Sequence, residues 1–300
     1  MRHQTEPAHT ITKTSFTITT LVFLGAISVF FYFGYPYLIY SAKERASIAC
    51  RQEKSTPLPV NKKTTELISS KNGIVTFWFD GAWDSQFKNA YPVLHKQGYT
   101  AAAAFQTDSI CRYDNMTWAN LRQLQKMGWE ITPSGENFTC FISLADFGTI
   151  TGQIQNARTK LHRHGLTGEN FTTPCGLGLY INDHLEKIVK STYQSARVLY
   201  PHINQLPLYD PYHIYAFTVT EHTSLGDVKT WLEMTKENQD WIILVFNRVD
   251  DKKYGVSSIT LDKFKRIVNL VKDEGLQVAT PSQVLHLSKQ LRDLKTSKTV

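Results

Sequence analysis

The chain lacks the short patterns that mark several common classes of protein. Its four cysteines form no C-x-x-C pair, which argues against a thiol redox motif and a zinc ribbon. No G-x-G-x-x-G follows the first predicted strand, so a dinucleotide site has no support. Lysine and arginine never run longer than a pair, and despite the net charge of +7 this spread predicts no nucleic-acid partner. A hydrophobic fraction of 42% excludes a disordered chain.

Charge is also absent from one long segment near the start of the chain. No charged residue occurs from Thr14 to Ala42, and the apolar core of this run exceeds the about 20 residues that a helix needs to cross a bilayer. A cleaved signal peptide has a shorter apolar core, of roughly 7–15 residues, followed by small side chains. Bulky tyrosines close this run instead. We therefore predict an N-terminal tail over residues 1–13 and an uncleaved single transmembrane anchor over residues 14–42.

The composition changes after the anchor. Residues 43–71 are polar and rich in lysine, serine, threonine and proline, which predicts a linker. A folded domain over residues 72–292 and a loose tail over residues 293–300 complete the chain. More basic residues follow the anchor than precede it, and the positive-inside rule taken alone favours a cytoplasmic domain.

Within the folded domain, β-branched and aromatic runs alternate with segments of helical spacing. The clearest strands are Gly73–Phe79 and Trp241–Phe246, and several helical segments stop at a glycine such as Gly98. Strands that alternate with helices run parallel and are joined by crossovers. Seven or eight such units in about 220 residues favour a closed or nearly closed (β/α) barrel over an open doubly wound sheet. In such barrels the chemistry lies at the carboxyl ends of the strands.

Four predicted strand ends carry a set of related motifs. They are FWFDGAWDSQF, MGWEITPSGENF, NFTTPCGLG and ILVFNRV. These segments and the residues between them resemble the polysaccharide deacetylases over nearly the whole domain. This family is carbohydrate esterase family 4, which is defined by the NodB homology domain. The resemblance implies an α/β fold of the distorted (β/α) barrel type and the removal of acetyl groups from N-acetylated sugars. It also implies a divalent metal such as zinc on one aspartate and two histidines, a second aspartate as general base and a distal histidine as general acid.

Most of the groups that the resemblance requires are replaced in this sequence. Asp80 takes the general-base position if Gly81 replaces the metal aspartate, and it takes the metal-ligand position if the alignment shifts by one residue. The two metal histidines fall on Ser134 and Phe138. The arginine and the tyrosine of the third motif fall on Thr172 and Cys175, and the acid histidine falls on Asn247. A catalytic zinc needs three protein ligands, so we expect no metal cofactor and predict a pseudoenzyme.

Several of these residues have a second interpretation. Asp80 is either a surviving functional carboxylate or the N-cap of the next helix. Cys175 is either a thiolate nucleophile or a small buried side chain. Trp83, on the loop after the first strand, is the best candidate for contact with a sugar ring. Cys111 and Cys140 lie on neighbouring strand-end loops and are candidates for a disulfide in an oxidising compartment.

Three functions are consistent with the sequence. The first is a membrane-anchored polysaccharide deacetylase-like protein of cell-envelope glycan metabolism, a pseudoenzyme that binds glycan or a protein partner. The second is an active hydrolase of non-peptide carbon–nitrogen bonds with an atypical site around Asp80, and the third is a structural subunit of a membrane complex. Because glycan-processing relatives act outside the cytoplasm, the resemblance favours a single-pass anchor with a periplasmic or cell-surface domain, against the charge bias.

Overall fold

A computed structural model of the chain describes residues 44–51, 68–137, 147–176, 183–251, 255 and 257–297. The chain divides into two compact units, Met1–Ala49 and Cys50–Val300. The predicted transmembrane anchor lies outside the described residues and stays a prediction. Among the helices of the described part, none is long and apolar enough to cross a membrane. Residues 44–51, which fall in the segment predicted as a linker, form a helix.

Short strands alternate with helices throughout the second unit. The strands are β1 (Ile74–Asp80), β2 (Ala101–Phe105), β3 (Glu130–Pro133), β4 (Asn170–Thr172), β5 (Ser195–Arg197), β6 (Phe217–Thr218), β7 (Trp241–Phe246), β8 (Arg248–Val249), β9 (Ser258–Ile259) and β10 (Gln277–Val278). The helices are α1 (Tyr91–Lys96), preceded by a π-helical turn (Gln86–Ala90), then α2 (Trp118–Lys126), α3 (Phe147–Arg163), α4 (Asp183–Thr192), α5 (Leu225–Asn238), α6 (Leu261–Glu274) and α7 (Pro281–Ser297).

The central strand β1 organises a parallel sheet in the order β3-β2-β1-β7-β6. One edge of β1 pairs with β7, and the other edge pairs with β10 near its start and with β2 near its end. The strands β4 and β5 form a second parallel pair, and a bridge from Arg197 to Ile214 links β5 to the segment that leads into β6. The strands therefore follow one another around a barrel, with a seam between β3 and β4 that carries no backbone pairing among the described residues.

Alternate side chains of β1 pack into two different apolar layers. Phe77 and Phe79 point outward and contact residues of the helices around the barrel. Trp78 points inward and belongs to the apolar cluster that contains Ala102 and Ala104 of β2. Each buried aromatic side chain contributes roughly 1.5–3 kcal/mol of hydrophobic stabilisation. The small side chains of β2 leave room in the barrel for larger groups from β1 and β5.

Side chains close the seam between β3 and β4. The side-chain amide of Asn170 donates to the carboxylate of Glu130, and the hydroxyls of Thr172 and Thr132 lie 3.4 Å apart. The backbone N–H of Ser282, at the start of α7, donates to Oε2 of Glu130 at 2.9 Å. Burial raises the pKa of the Glu130 carboxyl above its usual value, although its hydrogen bonds to Ser282 and Asn170 act in the opposite direction.

The raised pKa of Glu130 predicts a contribution to stability that is lost as the pH rises. A carboxyl of this kind binds its proton more tightly in the folded state, so its contribution is complete below about pH 4 and disappears as the pH passes the folded-state pKa. Between about pH 4 and pH 7 we expect the free energy of unfolding of the wild type to fall relative to that of Glu130→Gln. Denaturant titrations of both proteins at each pH measure the two free energies of unfolding. If the wild type gains stability relative to Glu130→Gln as the pH rises, the prediction is wrong.

Candidate functional site

A cavity of about 400 Å³ opens at the carboxyl ends of the barrel strands. Its lining includes all the site positions predicted from the sequence that the structure describes, namely Asp80, Gly81, Trp83, Ser134, Thr172, Cys175 and Asn247. Phe138 lies outside the described residues. These side chains come from four separate motifs up to 167 positions apart in the sequence. The fold therefore brings the motif positions to one cavity.

The Asp80 carboxylate, at the end of β1, is engaged by an arginine from across the barrel. Nη2 of Arg197, on β5, donates to Oδ1 at 2.9 Å and to Oδ2 at 2.8 Å. The Arg197 guanidinium lies over the ring of Trp78, with 4.9 Å from Cζ to the ring centroid. Only 1% of the Arg197 side chain is exposed, against 24% for Asp80. Asp80 thus holds a buried cation at the floor of the cavity.

The sequence motifs give no indication of Arg197 as the partner of Asp80. The position of Arg197 in a short buried strand was the available signal, because a buried guanidinium requires an anionic or hydrogen-bonding partner. The alternative role of Asp80 as a helix N-cap is wrong. The next helical turn begins at Gln86, its N-cap position is Ser85, and the Asp80 side chain turns inward to Arg197 instead.

Trp83 occupies the space beside Gly81, where a second carboxylate would have to stand. Gly81 has a φ of +97°, and a Cβ atom on it would lie 2.4 Å from Nε1 and 2.7 Å from Cε2 of the Trp83 indole. The indole is held from two sides. Nε1 donates to Oδ1 of Asn247 at 3.1 Å, and the Arg248 guanidinium lies over the ring, 3.5 Å from Cζ to the centroid. Asn247 thus anchors the tryptophan that fills the space beside Gly81.

Buried hydrogen bonds fix the loop that carries Trp83. The side-chain amide of Gln86, itself buried, donates to the backbone carbonyls of Asp80 at 2.7 Å and of Asn247 at 2.5 Å. Its Oε1 accepts from the backbone N–H of Trp83 at 3.1 Å. On the other side, Nδ2 of Asn115 donates to the carbonyl of Gly81 at 2.9 Å. The conformation of this loop is therefore determined by hydrogen bonds on both of its sides.

The cysteine pairing differs from the predicted one. Cys111 is bonded to Cys50, with 5.8 Å between their Cα atoms, so the predicted pair of Cys111 with Cys140 is wrong. A distance of this size lies within the usual range for disulfides. Cys175 is also disulfide-bonded, and it is exposed, so both of its predicted roles, a free thiolate nucleophile and a small buried side chain, are wrong. Cys50 was overlooked because the sequence around it resembles a linker.

The comparison with solved structures found proteins similar to this chain. No protein-family model matches the chain, and no curated protein sequence matches it. The Xyl-CE4 domain of a multidomain xylanase from the hindgut metagenome of Trinervitermes trinervoides is 12% identical, with a TM-score of 0.51, over 73% of this chain and 92% of that one. The peptidoglycan deacetylase PdaC from Bacillus subtilis is 17% identical, with a TM-score of 0.51, over 77% and 98%. A CE4 family pseudoenzyme from Bacillus anthracis is 12% identical, with a TM-score of 0.48, over 77% and 70%.

The chain is thus an α/β protein with a parallel sheet and a cavity at the carboxyl ends of its strands. More particularly, it has the fold of the CE4 polysaccharide deacetylases. This confirms the resemblance that the four motifs suggested.

The divalent metal that this fold family implies does not fit the described residues. Both oxygens of Asp80 accept hydrogen bonds from a fixed cation, which would repel a second one. Gly81 offers no ligand atom, and Asn247 is engaged by Trp83. Ser134 is buried at one of the two histidine positions. In the described ranges, no group of three or more histidine, cysteine, aspartate or glutamate side chains is placed to hold a metal ion.

Proposed function

We propose that this protein is a membrane-anchored, deacetylase-like pseudoenzyme that binds an envelope glycan without hydrolysing it. The contact that carries the proposal is the packing of Trp83 against Gly81, beside an Asp80 carboxylate neutralised by Arg197. Metal-assisted hydrolysis needs an open coordination position and an activated water. Here the corresponding space holds an indole ring and a guanidinium–carboxylate pair.

The cavity retains features that suit a short saccharide. Its volume of about 400 Å³ is within the range of small-ligand sites, roughly 300–1,000 Å³. Trp83 is half-buried and lines the cavity, and we assign the face of its indole opposite Arg248 to the C–H face of a sugar ring. Ser109, Asn115 and Thr173 add hydroxyl and amide groups to the lining. The carboxylates of the lining, Asp80 and Asp108, are paired with Arg197 and Lys160, and Arg112 adds one cation. Together with the aromatic surface and the uncharged polar groups, this lining supports an N-acetylated sugar as the ligand.

The disulfide chemistry supports a location outside the cytoplasm. Disulfides are rare in reducing cytosol and persist in the periplasm or at the cell surface. Cys50, Cys111 and Cys175 are all disulfide-bonded. We therefore favour a single-pass anchor with an extracytoplasmic domain over the opposite orientation that the juxtamembrane charges suggest, since long domains are translocated largely regardless of such charges.

Binding without turnover is tested with N-acetylglucosamine oligosaccharides. We expect the full chain in detergent to bind the free disaccharide, and Trp83→Ala to weaken binding about fivefold, because an aromatic contact contributes roughly 1 kcal/mol. Calorimetric titration gives the affinities. Tyr209→Ala is the matched control, since Tyr209 is a fully exposed aromatic residue that does not line the cavity.

The same samples distinguish the other two functions. Zinc and cobalt should produce no release of acetate above the rate without protein, and metal-dependent release would establish the active-hydrolase alternative. If no saccharide binds and a second membrane protein co-purifies instead, the chain is a structural subunit of a complex.

A further inference from the structure

The Cys50–Cys111 disulfide joins the membrane-proximal part of the chain directly to the rim of the cavity. Cys111 lies in the loop between β2 and α2, and this loop supplies several residues to the cavity lining: Gln106, Asp108, Ser109, Arg112 and Asn115. Cys111 is 5% exposed and packs in the outer apolar layer, and Cys50 packs against the same layer. The Cys50–Cys111 disulfide is therefore packed within the domain, next to the loop that lines the cavity.

This attachment shortens the path from the predicted anchor to the cavity. Eight positions separate Ala42, the last residue of the predicted anchor, from Cys50, and residues 44–51 are helical. Even fully extended, these eight positions reach no more than about 28 Å. Without the disulfide, the path would run through residues 43–71, which could extend to roughly 100 Å. With the disulfide, only these eight positions of chain separate the end of the predicted anchor from a cysteine that is bonded to the loop lining the cavity.

We propose that the cavity binds saccharides that are covalently attached to a membrane lipid, in the same leaflet as the anchor. The proposal rests on the proposed function, because it takes both the anchor and the glycan site from there. A cavity held close to the headgroups meets lipid-linked sugars at a high effective concentration and is kept away from polymers further out. Its volume of about 400 Å³ accommodates a short saccharide.

The test uses two insertions of the same rigid spacer in the full chain. Four EAAAK repeats are largely helical and about 30 Å long. Inserted between Lys43 and Glu44, they lengthen the path through Cys50 and lift the cavity from the membrane. Inserted between Asn61 and Lys62, they lie after Cys50 and leave that path unchanged. Both insertions keep the two cysteines, so the disulfide and the loop that it holds are present in each variant.

The probes are free di-N-acetylchitobiose and the same disaccharide joined to a dialkyl lipid in phosphatidylcholine nanodiscs that contain the protein. We expect the wild type and the 61/62 insertion to prefer the lipid-linked form, and the 43/44 insertion to bind it at least tenfold more weakly while its affinity for the free form is unchanged. Displacement of a fluorescent disaccharide measures all of these affinities.

Three outcomes decide against the proposal. Equal affinity of the wild type for both probes, or an equal loss from both insertions, overturns it and leaves the proposed function in place. Failure of every variant to bind the free disaccharide overturns the proposed function, and the present proposal with it.

Discussion

Replacing Asp80 with asparagine should lower the free energy of unfolding by roughly 3–5 kcal/mol, which is the usual result of removing one partner from a buried ion pair. The loss comes from the arginine that remains. Arg197 is 1% exposed, and apart from its bonds to Asp80 its Nε and Nη1 atoms have no hydrogen-bond partner in the described part of the chain. After the substitution, the guanidinium would still lie over the ring of Trp78, but it would have no anionic partner.

The reverse replacement should be milder. Arg197→Met leaves a carboxylate that is 24% exposed and can be hydrated from the cavity, and the methionine side chain fills part of the apolar space of the guanidinium. The double variant Asp80→Asn/Arg197→Met buries no charge and should lie closer to the wild type than Asp80→Asn does. Denaturant titration with a shared m-value gives the three differences.

An exposed ion pair is the control for this comparison. Lys229 and Glu233 lie one turn apart on α5, with both side chains largely exposed. Such a pair contributes at most about 0.5 kcal/mol, so Glu233→Gln should be close to neutral. A loss below about 1 kcal/mol for Asp80→Asn would mean that Arg197 finds another partner or reaches water, and the account of Asp80 as its counter-ion would fail.

The strands and helices that the sequence predicted well are those with strong local signals. β7 has the predicted bounds, Trp241–Phe246, because six consecutive apolar residues are buried on both faces of a central strand. α6 ends where Gly275 takes a φ of +70°, as its glycine stop predicted. In these elements the residues that determine the structure are adjacent in the sequence.

Other elements depend on partners that are distant in the sequence. Ala101–Phe105 forms β2, as its position directly after a helix stop predicts, and its alanines, which favour helix, are held in the strand by hydrogen bonds to β1 on one side and β3 on the other. The pair of β8 with β9 was not predicted, since each strand has only two residues and no periodicity. The helix over residues 44–51 and the bond of Cys50 to Cys111 were also missed, because the polar composition of that segment outweighed every local signal.

The candidate site shows the same division. The motif positions could be aligned from the sequence, and the fold collects those that the structure describes in one cavity. The contacts that decide the chemistry could not be predicted. Arg197 reaches Asp80 across 117 positions, and Asn247 reaches Trp83 across 164. Such pairs depend on the closure of the barrel, which no local pattern encodes.

Replacing Gly81 with aspartate should cost roughly 2–5 kcal/mol of unfolding free energy. About 1–2 kcal/mol is the backbone strain of a side chain at φ +97°. The remaining part, about 1–3 kcal/mol, is overpacking, because a Cβ at 2.4 Å from the Trp83 indole forces the ring away from Asn247 and Arg248. In a Trp83→Ala background the contact is absent, so the same substitution should cost only the strain.

Gly98→Asp provides a matched control. Gly98 has a φ of +72°, and a Cβ atom on it would meet no other atom within 4 Å. This substitution therefore measures the backbone strain without the overpacking. Denaturant titrations of the four proteins in the Gly81/Trp83 cycle should give a coupling of about 1–3 kcal/mol. If Gly81→Asp costs no more than Gly98→Asp, the indole is free to move and does not exclude a carboxylate. If the coupling is found, Trp83 itself closes the space beside Gly81 to a carboxylate. A restored aspartate would have no space until Trp83 is also replaced, and the same replacement would remove the surface proposed to hold the sugar.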